Sequence, residues 1–205
     1  MTASGEPILN ILGDTVALGP LRRDLIDLYV RWVNDFESIR SLGATFRPRT
    51  AEEELAWYDQ AHKDETRVMF LIYERATLRP IGSADLREID HANRTAEFGI
   101  FIGEKECWGK GYGTETTRLL LEFAFHSLGL HNVLLKVDSV NERAIRAYTR
   151  AGFRVIGARR QARRLGTRVC DLIFMECLAT ECLATEFPGA AAVSAAPPAN
   201  PSAAT

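Results

Sequence analysis

The sequence has little of what would tie it to a metal, a membrane or a nucleic acid. Its four cysteines, Cys107, Cys170, Cys177 and Cys182, form no C-x-x-C pair and stand apart from its four histidines. Neither a zinc site nor a disulfide framework is suggested, and reduced, structural thiols are expected, with no metal. No apolar segment approaches the ~20 residues of a membrane helix, and no basic-flanked apolar leader opens the chain. The expectation is a cytoplasmic protein with no membrane partner. Neither sign of charge is in excess, because 25 Lys plus Arg face 27 Asp plus Glu for a net charge of −2. A nucleic-acid partner is not expected from that balance. The strongest local run is ARRQARRLGTR, with Arg159, Arg160, Arg163, Arg164 and Arg168. It reads as a solvated turn; a nucleic-acid role for it would predict steep salt dependence.

What is present suits one globular domain: 205 residues, 46% hydrophobic and 25% charged. The domain is expected over residues 14–185, after an N-terminal extension over 1–13. From 186 to 205 the chain is rich in Ala and Pro, and a disordered tail is expected. Just before it, Glu-Cys-Leu-Ala-Thr occurs twice in tandem, at 176–180 and 181–185.

Hydrophobic spacing outlines the elements. A short strand is predicted over 15–18. Leu25, Leu28, Tyr29, Trp32 and Phe36 recur at helical spacing. Thr50 and Glu53 form a capping box ahead of a second helix bearing Leu55, Tyr58 and His62. Strands are predicted over 68–73, 81–89 and 95–102, in antiparallel order. In the last of these, Ala96, Phe98, Ile100 and Ile102 face one way, and Glu97, Gly99 and Phe101 the other. A helix over 114–128, a strand over 133–138 and a helix over 142–151 capped by Gly152 then make a βαβ crossover with locally parallel pairing. Two strands flanking the arginine turn, the second over 169–178, complete the pattern.

Glycine concentrates in CWGKGYGTE, ahead of the apolar run TTRLLLEFAF. The P-loop pattern G-x-x-x-x-G-K-[ST] fails, since Lys110 is followed by Gly111. The dinucleotide pattern G-x-G-x-x-G fails too, because Gly109, Gly111 and Gly113 alternate. What survives is a loop of unobstructed amides before a helix N-terminus, an arrangement that favours phosphate. A second stretch is VDSVNERAIRAY, in which Asn141 and Tyr148 stand two helical turns apart on one face. By spacing alone, the commoner reading is Asn141 as a helix cap and Tyr148 as a core residue whose hydroxyl finds a backbone partner.

Together, WGKGYGTE, a helix ending in Leu-Gly-Leu-His, and VDSVNERAIRAYTRAGF resemble the GNAT superfamily of acetyl-CoA-dependent N-acetyltransferases, in the branch with ribosomal-protein N-terminal and spermidine acetyltransferases. The resemblance covers most of 14–180. It implies an α/β fold: a mixed, mostly antiparallel central sheet, a βαβ acetyl-CoA-binding crossover and flanking helices. Trp108 stands where the superfamily signature has Arg or Gln, and tryptophan is usual in this branch.

The resemblance also implies roles. Backbone at Phe101, Ile102 and Gly103 would pair with the pantetheine arm of acetyl-CoA. Amides of Trp108, Gly109, Lys110, Gly111, Tyr112, Gly113 and Thr114 would hold its diphosphate. Asn141 and Ala144 would meet the arm near the thioester, and Tyr148 would serve as general acid toward the departing thiolate. Glu97 resembles the family's glutamate base, with a solvated or salt-bridged glutamate the equal alternative. The implied reaction is direct attack by a primary amine in a ternary complex, with a backbone amide near Ile102 facing the developing oxyanion. The amine would belong to a peptide N-terminus, a polyamine or an aminoglycoside-like small molecule. Cys107 lacks a histidine companion and is not expected to act as a nucleophile. Glu52, Glu53, Glu54 and Asp59, on the early helices that would wall the acceptor site, could receive a polycation such as a polyamine or an aminoglycoside, but a helix N-terminus favouring negative charge is the commoner reading; Asp85, Glu88 and Asp138 have no better claim. A homodimer is compatible with this reading. The competing function is a non-catalytic acyl-CoA-binding sensor or interaction module.

Overall fold

A computed structural model describes residues 6–40 and 47–182. The expected tail over 186–205 lies outside the described residues.

Eight strands form one sheet in the order β1-β2-β3-β4-β5-β6-β8-β7. They are β1 (Ile11–Leu12), β2 (Val16–Gly19), β3 (Val68–Glu74), β4 (Arg79–Asp90), β5 (Thr95–Ile102), β6 (Asn132–Asp138), β7 (Arg154–Leu165) and β8 (Arg168–Leu178). Every pairing is antiparallel except β5 with β6. That parallel step is the βαβ crossover, because parallel neighbours need a connection that returns along the sheet. Strand β1, within the expected extension, pairs with β2 as the edge of the sheet.

The helices are α1 (Ile26–Asn34), α2 (Phe36–Ile39), α3 (Ala51–Ala61), α4 (Tyr112–Glu122), α5 (Glu142–Ala151) and α6 (Ala179–Cys182). The capping box before α3 is present: the Thr50 side chain accepts from Glu53 N–H, and the Glu53 carboxylate accepts from Thr50 N–H. Gly152 caps α5 at φ 113°, a left-handed conformation that a Cβ would penalise. Helix α4 ends earlier than its spacing predicts. From Phe123 to Ser127 the chain winds more widely, and Leu128 N–H reaches the Phe123 carbonyl at 3.1 Å.

Two apolar clusters cover the two sheet faces. The larger joins Phe98, Leu120, Leu121, Leu135, Phe153 and Met175, with α4 and α5 over it. The smaller joins Tyr29 and Trp32 of α1 to Leu71 and Tyr73 of β3. The alternation expected in β5 follows: Phe98 lies in the larger cluster, while Phe101 packs against the smaller.

Two expectations are corrected. The arginine segment is strand rather than turn: Arg159 pairs with Leu172, Arg163 with Cys170 and Arg164 with Val169. Strand β7 is an edge exposed along most of its length, so it lacks the apolar alternation that reveals half-buried strands. Cys177 and Cys182 are joined in a disulfide rather than being free thiols. The tandem repeat sets the second cysteine five residues after the first, and the single turn of α6 folds it back onto the end of β8. Cys107 and Cys170 are free and buried.

Candidate active site

The site begins where two strands part. β5 and β6 pair only at Thr95 with Asn132, Ala96 with Val133 and Glu97 with Leu134. Beyond these, β5 continues to Ile102 along β4, and β6 continues to Asp138 along β8. The opening leads into a cavity of about 750 Å³, walled by residues from Phe98 to Ile102, by Lys136 and Val137, and by the start of α5. Backbone groups facing a parting of strands have no ladder partner, so they are available to an extended ligand.

The glycine loop forms one end of this cavity. Gly109 and Gly111 adopt φ 78° and 91°, which L side chains rarely occupy, and a Cβ on either would meet no atom within 4 Å. Internal packing therefore does not demand their bareness; the left-handed turn and the open space beside it do. Gly111 is the N-cap of α4, and Glu115 N–H is bonded to its carbonyl at 3.1 Å. By helix geometry the amides of Tyr112, Gly113 and Thr114 have no acceptor within the helix. Such a nest, with the positive end of α4 behind it, matches the chemistry of a diphosphate. Trp108 anchors the loop through its indole N–H, 2.9 Å from the Ile102 carbonyl, and the Arg143 guanidinium lies 4.3 Å from the ring centroid.

Of the residues expected to hold acetyl-CoA, Phe101, Ile102, Trp108, Gly109, Gly111, Tyr112, Gly113, Thr114, Asn141, Ala144 and Tyr148 line the cavity. Gly103 and Lys110 do not. The Gly103 amide donates to the Ile81 carbonyl at 2.9 Å, and a Cβ there would press to 2.4 Å of the Trp32 ring. Gly103 is thus glycine because Trp32 covers it, with its N–H already engaged.

Asn141 caps α5, its side-chain oxygen accepting from Ala144 N–H at 3.1 Å, and the residue lines the cavity. Tyr148 stands on the same helix against Phe98 and Phe153, with ring centroids 6.1 Å from each. Its hydroxyl has no hydrogen-bond partner among the described residues. Burial pushes the phenol up to about 12, against a small opposing pull from Arg87. It is therefore a protonated donor throughout the working pH range.

Glu97 is buried but not free. Its Oε1 accepts from Arg87 Nη2 at 2.6 Å and Nε at 3.2 Å, and its Oε2 lies 2.5 Å from the Lys136 ammonium. Burial alone would raise its pKa, but the contacts with Lys136 and Arg87 outweigh this and hold the carboxyl below its ordinary value. A carboxylate between two cations is a weak proton acceptor, so the salt-bridged alternative describes this residue. Cys107 is buried, burial raises its thiol, and Arg79 Nη2 lies 3.4 Å from its sulfur.

Several site residues escaped the sequence reading. Arg87 stands directly across from Glu97 in the β4–β5 register, and Arg67 enters β3 beside Asp85. Only the strand register could have exposed these pairs. Among the other acids, Glu54 and Asp85 line the cavity; Glu53 serves the cap, Asp59 pairs with Arg23, and Asp138 accepts from Arg163 Nε at 3.0 Å. No helix among the described residues is long and apolar enough to cross a membrane.

Comparison with known proteins agrees with this geometry. Residues 16–154 match the family described as acetyltransferase (GNAT) domain. The spermidine N(1)-acetyltransferase of Escherichia coli strain K12 is 34% identical over 146 residues, covering 70% of this chain and 75% of that protein. An uncharacterised N-acetyltransferase, p20 of Bacillus licheniformis, is 30% identical over 112 residues, covering 55% of this chain and 62% of that one. In fold, the chain is similar to the crystal structure of the Vibrio cholerae spermidine N-acetyltransferase in complex with CoA and spermine. That match has a TM-score of 0.77 and 24% identity, over 83% of this chain and 99% of the other.

Proposed function

This chain belongs to the GNAT acetyltransferase family and is an N-acetyltransferase; from that premise we propose that the cavity between β5 and β6 is its active site, with Tyr148 as the acid. Acetyl-CoA supplies a thioester: as a C–N bond forms to the amine and the C–S bond breaks, the amine loses one proton and the sulfur gains one. The amides of Gly111 to Thr114 bind the diphosphate, and the bare turn at Gly109 and Gly111 gives it room. The strand edge at Phe101 and Ile102, with the Asn141 amide, orients the arm. Tyr148 donates to sulfur from a hydroxyl with no competing acceptor among the described residues.

An aliphatic amine has a pKa near ~10, so its proton must leave before attack. Glu97 is too well stabilised as an anion to take it, and we assign that proton to water in the open cavity. Glu97 instead positions Arg87 and Lys136. The relatives named for spermidine make a polyamine one acceptor to try, beside amino acids, peptide N-termini and aminoglycosides.

One observation carries this reading: a phenol with no hydrogen-bond partner among the described residues stands where β5 and β6 part, on a cavity that the glycine loop's amide nest closes at one end. The test is thiol release from acetyl-CoA across an amine panel, with calorimetric binding of acetyl-CoA measured beside it. The reading predicts binding and acceptor-dependent thiol release. Absence of binding by folded protein overturns it.

A further inference from the structure

The acceptor half of the cavity, on the sheet face covered by α1 and α3, is not an acidic pocket. Three carboxylates approach it, and each is already matched. Glu54, only 3% exposed, has Oε1 3.1 Å from Arg49 Nη2. Asp85 has Oδ2 2.7 Å from Arg67 Nη2 and 2.8 Å from Arg67 Nε, and its Oδ1 is 3.6 Å from Arg87 Nη1. Glu97 lies between Arg87 and Lys136. Arg49, Arg67, Arg87 and Lys136 thus face these three carboxylates, and Glu53 adds a fourth, 3.7 Å from Arg49 Nε.

Arg49 is the cation with donors to offer. It lines the cavity, and its guanidinium makes no aligned hydrogen bond among the described residues. Its Nε is shielded from solvent and unpartnered, with only a 3.7 Å ion-pair contact to Glu53. Its backbone, by contrast, is fixed: Arg49 N–H donates to Asn34 Oδ1 at 2.9 Å, and Asn34 Nδ2 donates to the Arg49 carbonyl at 2.8 Å. Nη2 is shared with Glu54 and Nε is shielded, which leaves Nη1 without a hydrogen bond among the described residues; a guanidinium in that state beside a cavity can meet a planar anion. Trp57 and Met69 form apolar wall nearby.

We propose that the acceptor is an amine that also carries a carboxylate, an amino acid or short peptide with an apolar side chain, whose carboxylate Arg49 receives. The proposal rests on the acetyltransferase reading and narrows its substrate. A polyamine would bring several positive charges to a surface with no unmatched carboxylate among the described residues, and each pairing would require displacing an arginine or lysine.

The experiment compares acceptors that differ only by the carboxylate: phenylalanine with phenethylamine, methionine with 3-(methylthio)propylamine, tryptophan with tryptamine. Spermidine is the polycationic control, and acetyl-CoA binding is followed in parallel by calorimetry. In at least one pair the acid should exceed its decarboxylated partner about tenfold or more in kcat/KM, with spermidine below it. Arg49→Gln should raise KM for that acid at least tenfold and abolish the preference, with acetyl-CoA affinity unchanged. Glu54→Gln, which frees the guanidinium, should lower that KM. Equal or better use of the decarboxylated amines, preference for spermidine, or no turnover of any acid overturns the proposal. Loss of acetyl-CoA binding in the unmutated protein would instead overturn the transferase reading beneath it.

Discussion

Replacing Tyr148 with phenylalanine removes one hydroxyl and leaves the ring that packs on Phe98 and Phe153. Because that hydroxyl has no partner among the described residues, its loss should change stability by no more than about 0.5 kcal/mol. Its chemical contribution can be bounded. A thiol has a pKa of about 8.5, and the phenol stands at about 12, so complete proton transfer to a free thiolate is uphill by roughly 3.5 pK units. In the transition state the phenol, as the acid, therefore shares its proton with the charge growing on sulfur rather than surrendering it early. Such a bond to a charged group contributes about 1.5–3 kcal/mol, which is a fall in kcat of about 10- to 150-fold. The assay is stopped-flow thiol release at saturating substrates, with acetyl-CoA affinity from calorimetry and melting temperature from circular dichroism. The affinity and the melting temperature should hardly move. With the phenol protonated below about pH 12, the wild-type rate should also rise with pH as the amine deprotonates, with no descending limb below about pH 10. An unchanged kcat would refute the acid assignment, and a parallel loss of folding would show the hydroxyl to be structural.

Other outcomes follow from neighbouring contacts. Glu97→Gln leaves Arg87 and Lys136 without their shared anion and should cost about 1–2 kcal/mol in urea denaturation at pH 7, discounted because both cations are about 38–39% exposed. The Glu97 carboxyl is held low in the folded state, so this stabilisation is complete above the ordinary glutamate range and disappears as pH falls through the depressed value. The gap between variant and wild type should therefore close in acid. Cys182→Ser opens a loop of five-residue separation and should lower stability by about 2 kcal/mol under oxidising conditions, with no difference once reductant is present. Trp108→Phe loses the indole hydrogen bond to Ile102 and should weaken acetyl-CoA binding several-fold by calorimetry, with the melting temperature little changed.

The parts of the molecule legible in sequence are those where local pattern and tertiary role coincide. β5 and α5 match their predicted bounds because one alternates cleanly and the other is bracketed by Asn141 and Gly152. The glycine loop was legible because positive φ leaves a mark in composition. The end of α4 was not: apolar spacing cannot distinguish an α-helix from the wider turn at Phe123–Ser127. The β7 arginines were misread because an edge strand exposed on both faces carries no alternation. The disulfide was missed because its spacing matches no motif and depends on the fold of α6. The acceptor-side ion pairs were invisible for a different reason. Arg67 and Asp85 are separated by 18 residues, and Arg87 and Glu97 by 10, so only the hairpin registers bring them together.

The central claim is that uncovered amides at the start of α4 capture a diphosphate and so place a thioester beside Tyr148. Calorimetric titration of wild type and Gly111→Val with acetyl-CoA and with S-acetylpantetheine, which lacks the diphosphate, tests it most directly. The account predicts that the variant loses at least tenfold in affinity for acetyl-CoA and almost none for S-acetylpantetheine. Equal losses for both ligands, or no loss for either, would contradict it.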